Sequence, residues 1–201
     1  QKDNVTEREA ECLFIAPEAH ILLVDDNELN LVVAKELLKP LRMQIDTAEN
    51  GLQAVKMVRG SQYDLVLMDH MMPVMDGIEA AKAIRALPED KYQKLPIIAL
   101  TANAMVDARK EFLNAGMNGF VAKPIDFARI CNQLKLWLPK DLVRDVPKEE
   151  AKKLLADDLS DREIQPEDPQ MGFSFEEGVN HCGSKAALML SLIHISEPTR
   201  P

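Results

Sequence analysis

Four short stretches place chemically distinctive side chains directly after apolar runs: Val24-Asp25-Asp26-Asn27, Met68-Asp69-His70-Met71-Met72-Pro73, Leu100-Thr101-Ala102 and Ala122-Lys123-Pro124. If those runs are neighbouring strands, three carboxylates, a hydroxyl and an ammonium group meet on one rim. Singly, each residue has an ordinary role. Asp26 or Asn27 would cap the following helix, Asp69 would sit solvated at a strand end, Thr101 would start a turn and Lys123 would be a surface charge. Together these roles fail, because two carboxylates 4 Å apart repel by about 4 kcal/mol at an effective dielectric of 20. A fold keeps such a cluster when a cation neutralises it. Carboxylates, a backbone carbonyl and water are the oxygen ligands that octahedral Mg²⁺ takes.

The elements that must position these groups are legible as a regular alternation from His20 to about Leu138. Apolar runs of strand length are ILLV (21–24), the weaker MQIDTA (43–48), DLVLM (64–68), PIIAL (96–100) and GFVA (119–122). Helical stretches lie between them: Leu29, Val32, Val33 and Leu37 recur at helical spacing, as do Phe127, Ile130, Cys131, Leu134 and Trp137. Continuous apolar strands alternating with amphipathic helices predict an α/β fold whose parallel sheet is covered on both faces. Five such units in about 120 residues fit a doubly wound five-stranded sheet, with the ligand site at the carboxyl ends of the strands where their order reverses.

Composition narrows the function. Lys plus Arg is 24 against 33 Asp plus Glu, a formal charge of −9, which argues against nucleic acid as a partner because backbone binding needs a basic face. No apolar run approaches the ~18 residues of a spanning helix, so no membrane contact by this segment is expected. Cys12, Cys131 and Cys182 are scattered without metal-ligand spacing, which predicts a reducing, cytoplasmic compartment and no disulfide frame. His20, His70 and His181 have no partner carboxylate or second histidine at ligand spacing and are read as ordinary. Met71, Met72 and Met75 are read as adaptable packing, with only the Met71 backbone asked to act.

Residues 20–138 resemble a response-regulator receiver domain of two-component signalling, through LLVDDN (22–27), LVLMDHMMPVMDGIEA (65–80), IIALTA (97–102) and GFVAKPID (119–126). The four pieces occur in order, each at the end of its strand. The resemblance implies the flavodoxin-like strand order 2-1-3-4-5. It implies that Asp69 accepts phosphate from a phosphohistidine. Asp26, Asp69 and the Met71 carbonyl would bind Mg²⁺ directly, and Asp25 would bind it through water. Lys123 would pair with the phosphoryl oxygens and Thr101, followed by Ala102, would hydrogen-bond them. Phe120 would be the mobile aromatic residue, Lys123-Pro124 a cis peptide, and Gly77 the glycine opening the helix after Pro73. The chemistry agrees: a carboxylate that attacks phosphorus needs both charges masked, and the extra charge of the acyl phosphate offers Thr101 a partner only in that state.

Two alternatives belong to other classes. A flavodoxin-like FMN-binding electron carrier shares the topology but needs a Ser/Thr/Gly-rich phosphate loop, where this chain has Asp25-Asp26-Asn27-Glu28. An Asp-nucleophile phosphatase would carry its nucleophile and a second Asp two residues on, after the first strand; here the paired acids are adjacent.

On either side the character changes. Residues 1–19 are expected to be a linker or the tail of a preceding domain. Residues 139–170 are expected to be a charged linker in which 147–159 forms a short exposed helix, without protection from hydrogen exchange beyond about Leu138. The phrase FSFEEGVNHCGSKAALML within 171–190 resembles the opening of a histidine phosphotransfer bundle, as it follows receivers in bacterial hybrid sensor kinases. This predicts a truncated phosphotransfer-like unit with about one helix, 175–190. It also predicts a histidine kinase domain and a histidine phosphotransfer domain as partners. Residues 191–201, SLIHISEPTRP, break the pattern, resemble translated sequencing adapter, and are expected to be a non-native tail. The chain does not begin with Met and is expected to be a piece of a longer protein. It carries no nucleotide motif of a kinase, so any chemistry of its own is limited to accepting and losing the phosphoryl group.

Overall fold

The computed structural model describes residues 2–102 and 106–160, with side chains placed for 7–102 and 109–155. Five strands, β2 (His20–Val24), β3 (Gln44–Ala48), β4 (Leu65–Asp69), β5 (Ile97–Thr101) and β6 (Gly119–Ala122), form one parallel sheet in the order β3-β2-β4-β5-β6. Counted from His20 this is 2-1-3-4-5, the doubly wound order expected. Between and after them lie α2 (Glu28–Leu38), α3 (Gly51–Gly60), α4 (Gly77–Arg85), α5 (Asp90–Lys94), α6 (Val106–Asn114) and α7 (Phe127–Trp137), with a 3₁₀ turn at Lys39–Leu41.

The inner strands β2, β4 and β5 are apolar over most of their length because both faces are covered, whereas the edge strand β3 is polar and half-exposed. Ile21, Leu23, Leu65, Leu67, Ile98, Leu100 and Val121 pack with α2 and α7 on one face. Their sequence neighbours Leu22, Val24, Val66, Met68, Ile97 and Ala99 pack with α3, α4 and α6 on the other. Successive strand side chains point to opposite faces, so a one-residue slip would exchange the two cores. The register is therefore well specified: Val24 pairs with Ala48 and Met68, Asp69 with Leu100, and Thr101 with Ala122.

Side-chain caps start four of the helices. Asn27, Asn50, Asp76 and Asp126 each accept from a backbone N–H of the first turn, and Asp76 with Glu79 completes a capping box. One helix differs from its expected face. In α2 the buried residues are Leu31, Val33, Ala34, Leu37 and Leu38, while Leu29 and Val32 are 50% and 52% exposed. Two apolar stripes overlap on this helix, and the one carrying Ala34 lets the helix approach the sheet. In α7 Phe127, Ile130, Cys131 and Leu134 are buried, with Trp137 partly so, as the spacing predicts.

The flanks differ more. Helix α1 (Lys2–Cys12) leads into β1 (Phe14–Ile15), which pairs antiparallel with β7 (Arg144–Asp145). Helix α8 (Lys148–Ser160) packs on α1 through buried Ala151 and Leu155, and α1 also packs on α7. Leu13, Phe14, Ala16 and Leu138 are buried in the same core. Ion pairs tie the two flanks: Lys148 to Glu11 at 2.8 Å, and Arg144 to Glu18. The segment before β2 and the first part of the segment after α7 are thus packed structure, and burial extends past Leu138. The readings of 171–190 and 191–201 lie outside the described residues. Among the described residues no helix is long and apolar enough to cross a membrane.

Candidate functional site

Parallel register brings the carboxyl ends of β2, β4, β5 and β6 level, and backbone hydrogen bonds continue the ladder one residue past several of them. Asp25 N–H donates to Ala48 O, His70 N–H to Leu100 O and Lys123 N–H to Thr101 O, at 3.1, 3.1 and 2.7 Å. Asp25, Asp69, Thr101 and Lys123 are thereby gathered on one rim. Asp25, Asp69 and Thr101 are also the buried polar or charged residues of the described chain, at 3%, 6% and 0% exposure.

Lys123 bridges the two buried acids, with Nζ 2.7 Å from Asp25 Oδ2 and 3.1 Å from Asp69 Oδ1. Asp25 Oδ1 accepts from Asn27 N–H at 3.0 Å and from Asn30 Nδ2 at 2.9 Å. Asp26 is exposed, yet one oxygen from each of Asp25, Asp26 and Asp69 falls within a 4.8 Å cluster. Asn27, not Asp26, caps α2, which leaves the Asp26 carboxylate uncommitted to the helix. Burial raises the Asp69 carboxyl to a pKa of about 6; Lys123 opposes this and Asp25 adds to it. Burial disfavours the Lys123 ammonium, but Asp69 and Asp25 outweigh it and its pKa ends raised. One ammonium thus faces more negative charge than it cancels, and the set of hard oxygen donors suits a divalent cation.

The surrounding loops explain the remaining residues. Gly77 N–H donates to His70 O at 3.2 Å, and a Cβ on Gly77 would lie 2.2 Å from Asp69 O. Only glycine lets α4 start this close to the Asp69 backbone. The Met71 side chain is 69% exposed, so any part it plays near the acids falls to its backbone. Ala102 is exposed after Thr101, and the Lys123–Pro124 peptide is cis, with Pro124 on the surface. Phe120 is half-buried; its ring centroid is 6.5 Å from that of Phe112.

Sequence reasoning passed over Asn30 and read His70 and His20 as ordinary. Asn30, one turn into α2, holds Asp25. His70, directly after the acid, reaches the hydroxyl: its Nδ1 is 3.4 Å from Thr101 Oγ1 and its ring meets Phe112 edge-on. Burial lowers its pKa, opposed by Asp76 and Glu111. Its position directly after Asp69 at a strand end was the available signal. His20, expected to lack a carboxylate partner, has one: its Nε2 is 3.0 Å from Asp46 Oδ2, which also accepts from Tyr63 Oη at 2.8 Å. The partner comes from the neighbouring strand, so sequence spacing could not reveal it. His181 lies outside the described residues.

Fold and site together define a doubly wound α/β domain whose carboxyl rim gathers three acids bridged in part by one lysine. Residues 21–135 match the family described as the response regulator receiver domain. The chain belongs to this family. It is 40% identical over 119 residues to the signal transduction histidine-protein kinase BarA of Escherichia coli (strain K12), covering 59% of this chain and 13% of that protein. Among solved structures, the receiver domain of sensor histidine kinase PA1611 of Pseudomonas aeruginosa PAO1, described with magnesium coordinated in its active-site cleft, is 40% identical. The TM-score is 0.55, and the match covers 59% of this chain and 96% of that one. The receiver domain of the Saccharomyces cerevisiae response regulator Ssk1, solved with the phosphotransfer protein Ypd1, is similar at 26% identity and TM-score 0.57. That match covers 67% of this chain and 99% of the matched one. Receivers of this family pass a phosphoryl group in two-component signalling, and the sequence relative named here is a histidine kinase of which this chain matches 13% of the length. Neither the flavin carrier nor the phosphatase finds support, and Asp25 and Asp26 occupy the place where a flavin phosphate would need neutral donors.

Proposed function

We propose that Asp69 is the phosphoryl acceptor and that its donor is a phosphohistidine. An Asp69 carboxylate oxygen forms the new bond to phosphorus while the P–N bond breaks, and the released imidazole nitrogen keeps the electron pair. The observation that carries this reading is the single ammonium of Lys123 shared by two buried carboxylates, one of them Asp69 with a pKa raised to about 6. Burial keeps water away from the acceptor oxygen, and Lys123 can turn from the acids to the incoming phosphoryl oxygens. Mg²⁺ would be held directly by Asp26, Asp69 and the Met71 carbonyl and through water by Asp25. When bound it supplies the positive charge that lets two anions approach. Asn30 and Asn27 orient Asp25 for that role.

Thr101 and Phe120 would form the switch. The phosphorylated aspartate offers the Thr101 hydroxyl a doubly charged acceptor, stronger than a ring nitrogen 3.4 Å away. Movement of Thr101 frees space beside Phe112 and His70 for Phe120 to turn inward, which remodels the face made by α6, β6 and α7. Ala102 and Pro124 frame the two strand ends that move.

The functional unit is 20–138, flanked by 1–19 and the charged stretch 139–170, with 171–190 opening a phosphotransfer-like unit. The partners are a histidine kinase domain, in the same or a separate chain, and a histidine phosphotransfer domain. The compartment is the cytoplasm, where ATP charges such kinases. Intact mass after incubation with acetyl phosphate tests the central claim. One phosphoryl group should be gained with Mg²⁺ and little without it, and none in Asp69→Asn. Undiminished labelling of that variant would refute the assignment.

A further inference from the structure

Cys12 closes α1 and Cys131 lies in the middle of α7, in sequence at opposite ends of the domain. Both are free thiols, and both are buried in the same core cluster where α1 packs on α7. Cys131 is fully buried, whereas Cys12 retains 9% exposure at the edge of the packed flank. The Cys12 thiol is 3.3 Å from the Glu9 carbonyl oxygen, to which it donates.

The two sulfurs also act on each other, in opposite senses. Interaction with the Cys131 thiol lowers the Cys12 pKa, while burial, Glu9 and Asp126 oppose this. Burial and the Cys12 sulfur raise that of Cys131. Cys12 is thus the thiol nearer solvent, and Cys131 lies enclosed behind it in the same core. This division of roles is that of an attacking and a resolving cysteine.

We propose that Cys12 and Cys131 form a reversible disulfide when the protein meets a hydroperoxide. The Cys12 thiolate attacks the terminal peroxide oxygen and the O–O bond breaks, which leaves a Cys12 sulfenic acid and, with hydrogen peroxide, one water. The Cys131 sulfur then attacks the sulfenic sulfur. The S–O bond breaks, the S–S bond forms, and the hydroxide leaves as a second water with the Cys131 proton. Two thiols and one peroxide thereby become one disulfide and two waters. The bond joins the segment preceding the receiver to α7, one of the elements lining the proposed switch face. It is independent of the phosphoryl chemistry, since neither cysteine belongs to the acidic site.

The test uses the full chain carrying Cys182→Ser, which removes the third thiol. After hydrogen peroxide and alkylation of remaining thiols, the folded protein should lose the mass of two hydrogens and take no alkyl group. Peptide mapping should join Cys12 to Cys131, and dithiothreitol should reverse the link. Oxidation should raise the melting temperature by roughly 5–10 °C, as closing a long loop does. In Cys131→Ser, Cys12 should be trapped as sulfenic acid by dimedone. Should that variant fail to fold, Cys12→Ser replaces it, and Cys131 should then resist peroxide. Two free, alkylatable thiols after peroxide, or a link that appears only in denaturant, would overturn the proposal.

Discussion

Replacing Asp69 by Asn should stabilise the domain when no divalent cation is present. The ordinary carboxyl value of 3.8 rises to about 6 in the fold, chiefly through burial and secondarily through Asp25, against the pull of Lys123. A group whose folded pKa is raised favours the fold while protonated. Its contribution is fully present below the unfolded value and is lost as pH rises through the folded one. For Asp69 the window runs from 3.8 to about 6. At ~1.4 kcal/mol per pH unit the ionised carboxylate costs the fold about 3 kcal/mol above that window. Asparagine is close to the protonated acid in shape and carries no charge, so it escapes this cost. In chelator at pH 8, Asp69→Asn should therefore melt roughly 6–12 °C above the parent, at about 2–4 °C per kcal/mol for a domain of this size.

The advantage should shrink through pH 6 and vanish near pH 4. Every other carboxylate titrates in both proteins, so the difference isolates Asp69. Added Mg²⁺ should narrow the gap by stabilising the parent more than the variant, because it binds the folded, ionised pocket. The assay is thermal unfolding followed by far-ultraviolet circular dichroism, from pH 3.5 to 8, with chelator or Mg²⁺. A variant that melts at or below the parent at pH 8 in chelator would refute the reasoning. So would an advantage that persists unchanged at pH 4.

Other perturbations probe the scaffold. Gly77→Ala would drive a Cβ to 2.2 Å from Asp69 O; it should cost at least about 2 kcal/mol in urea unfolding and slow labelling by acetyl phosphate. Arg85 donates to the carbonyls of Gly116 and Leu95 at 2.9 and 2.8 Å, to that of Tyr92, and to Asn118 Oδ1 at 3.0 Å. Arg85→Ala strands the three carbonyls, while Asn118 Oδ1 keeps the Ile97 N–H at 3.0 Å; it should destabilise by roughly 3 kcal/mol or more, without altering the Mg²⁺ dependence of labelling. Burial and Asp46 push the Tyr63 phenol up to about 12. Its contribution to stability is therefore present below about pH 10 and fades towards 12. A difference titration at alkaline pH between the parent and Tyr63→Phe should show that phenol ionising near the upper value, and the variant should lose less stability across the same range.

Much of the frame was legible because its signals are local and repeated. ILLV (21–24), LVLM (65–68) and IIAL (97–100) are uniformly apolar, and only a strand covered on both faces needs that. Acids, a hydroxyl and a lysine directly after such strands pointed to the rim before any geometry was known. Where two patterns overlapped locally, burial chose between them. In α2 the stripe through Leu31, Ala34 and Leu38 faces the sheet, and Leu29 and Val32 are left to solvent.

The sequence by itself determined the α/β class and the residue types of the site, while the strand order followed only from the resemblance of its motifs to receiver domains. These depend on side-chain periodicity and on the residues at each strand's carboxyl end, both short-range properties. Only the tertiary structure decided which distant groups meet. His20, Asp46 and Tyr63 form one network because β2 and β3 are neighbours, and His70 reaches Thr101 because β4 pairs with β5. The flanks are the clearest case. Two-residue strands at Phe14–Ile15 and Arg144–Asp145 carry almost no periodicity of their own. They and the helices beside them are held by packing between segments far apart in the chain, a free energy that no local pattern encodes.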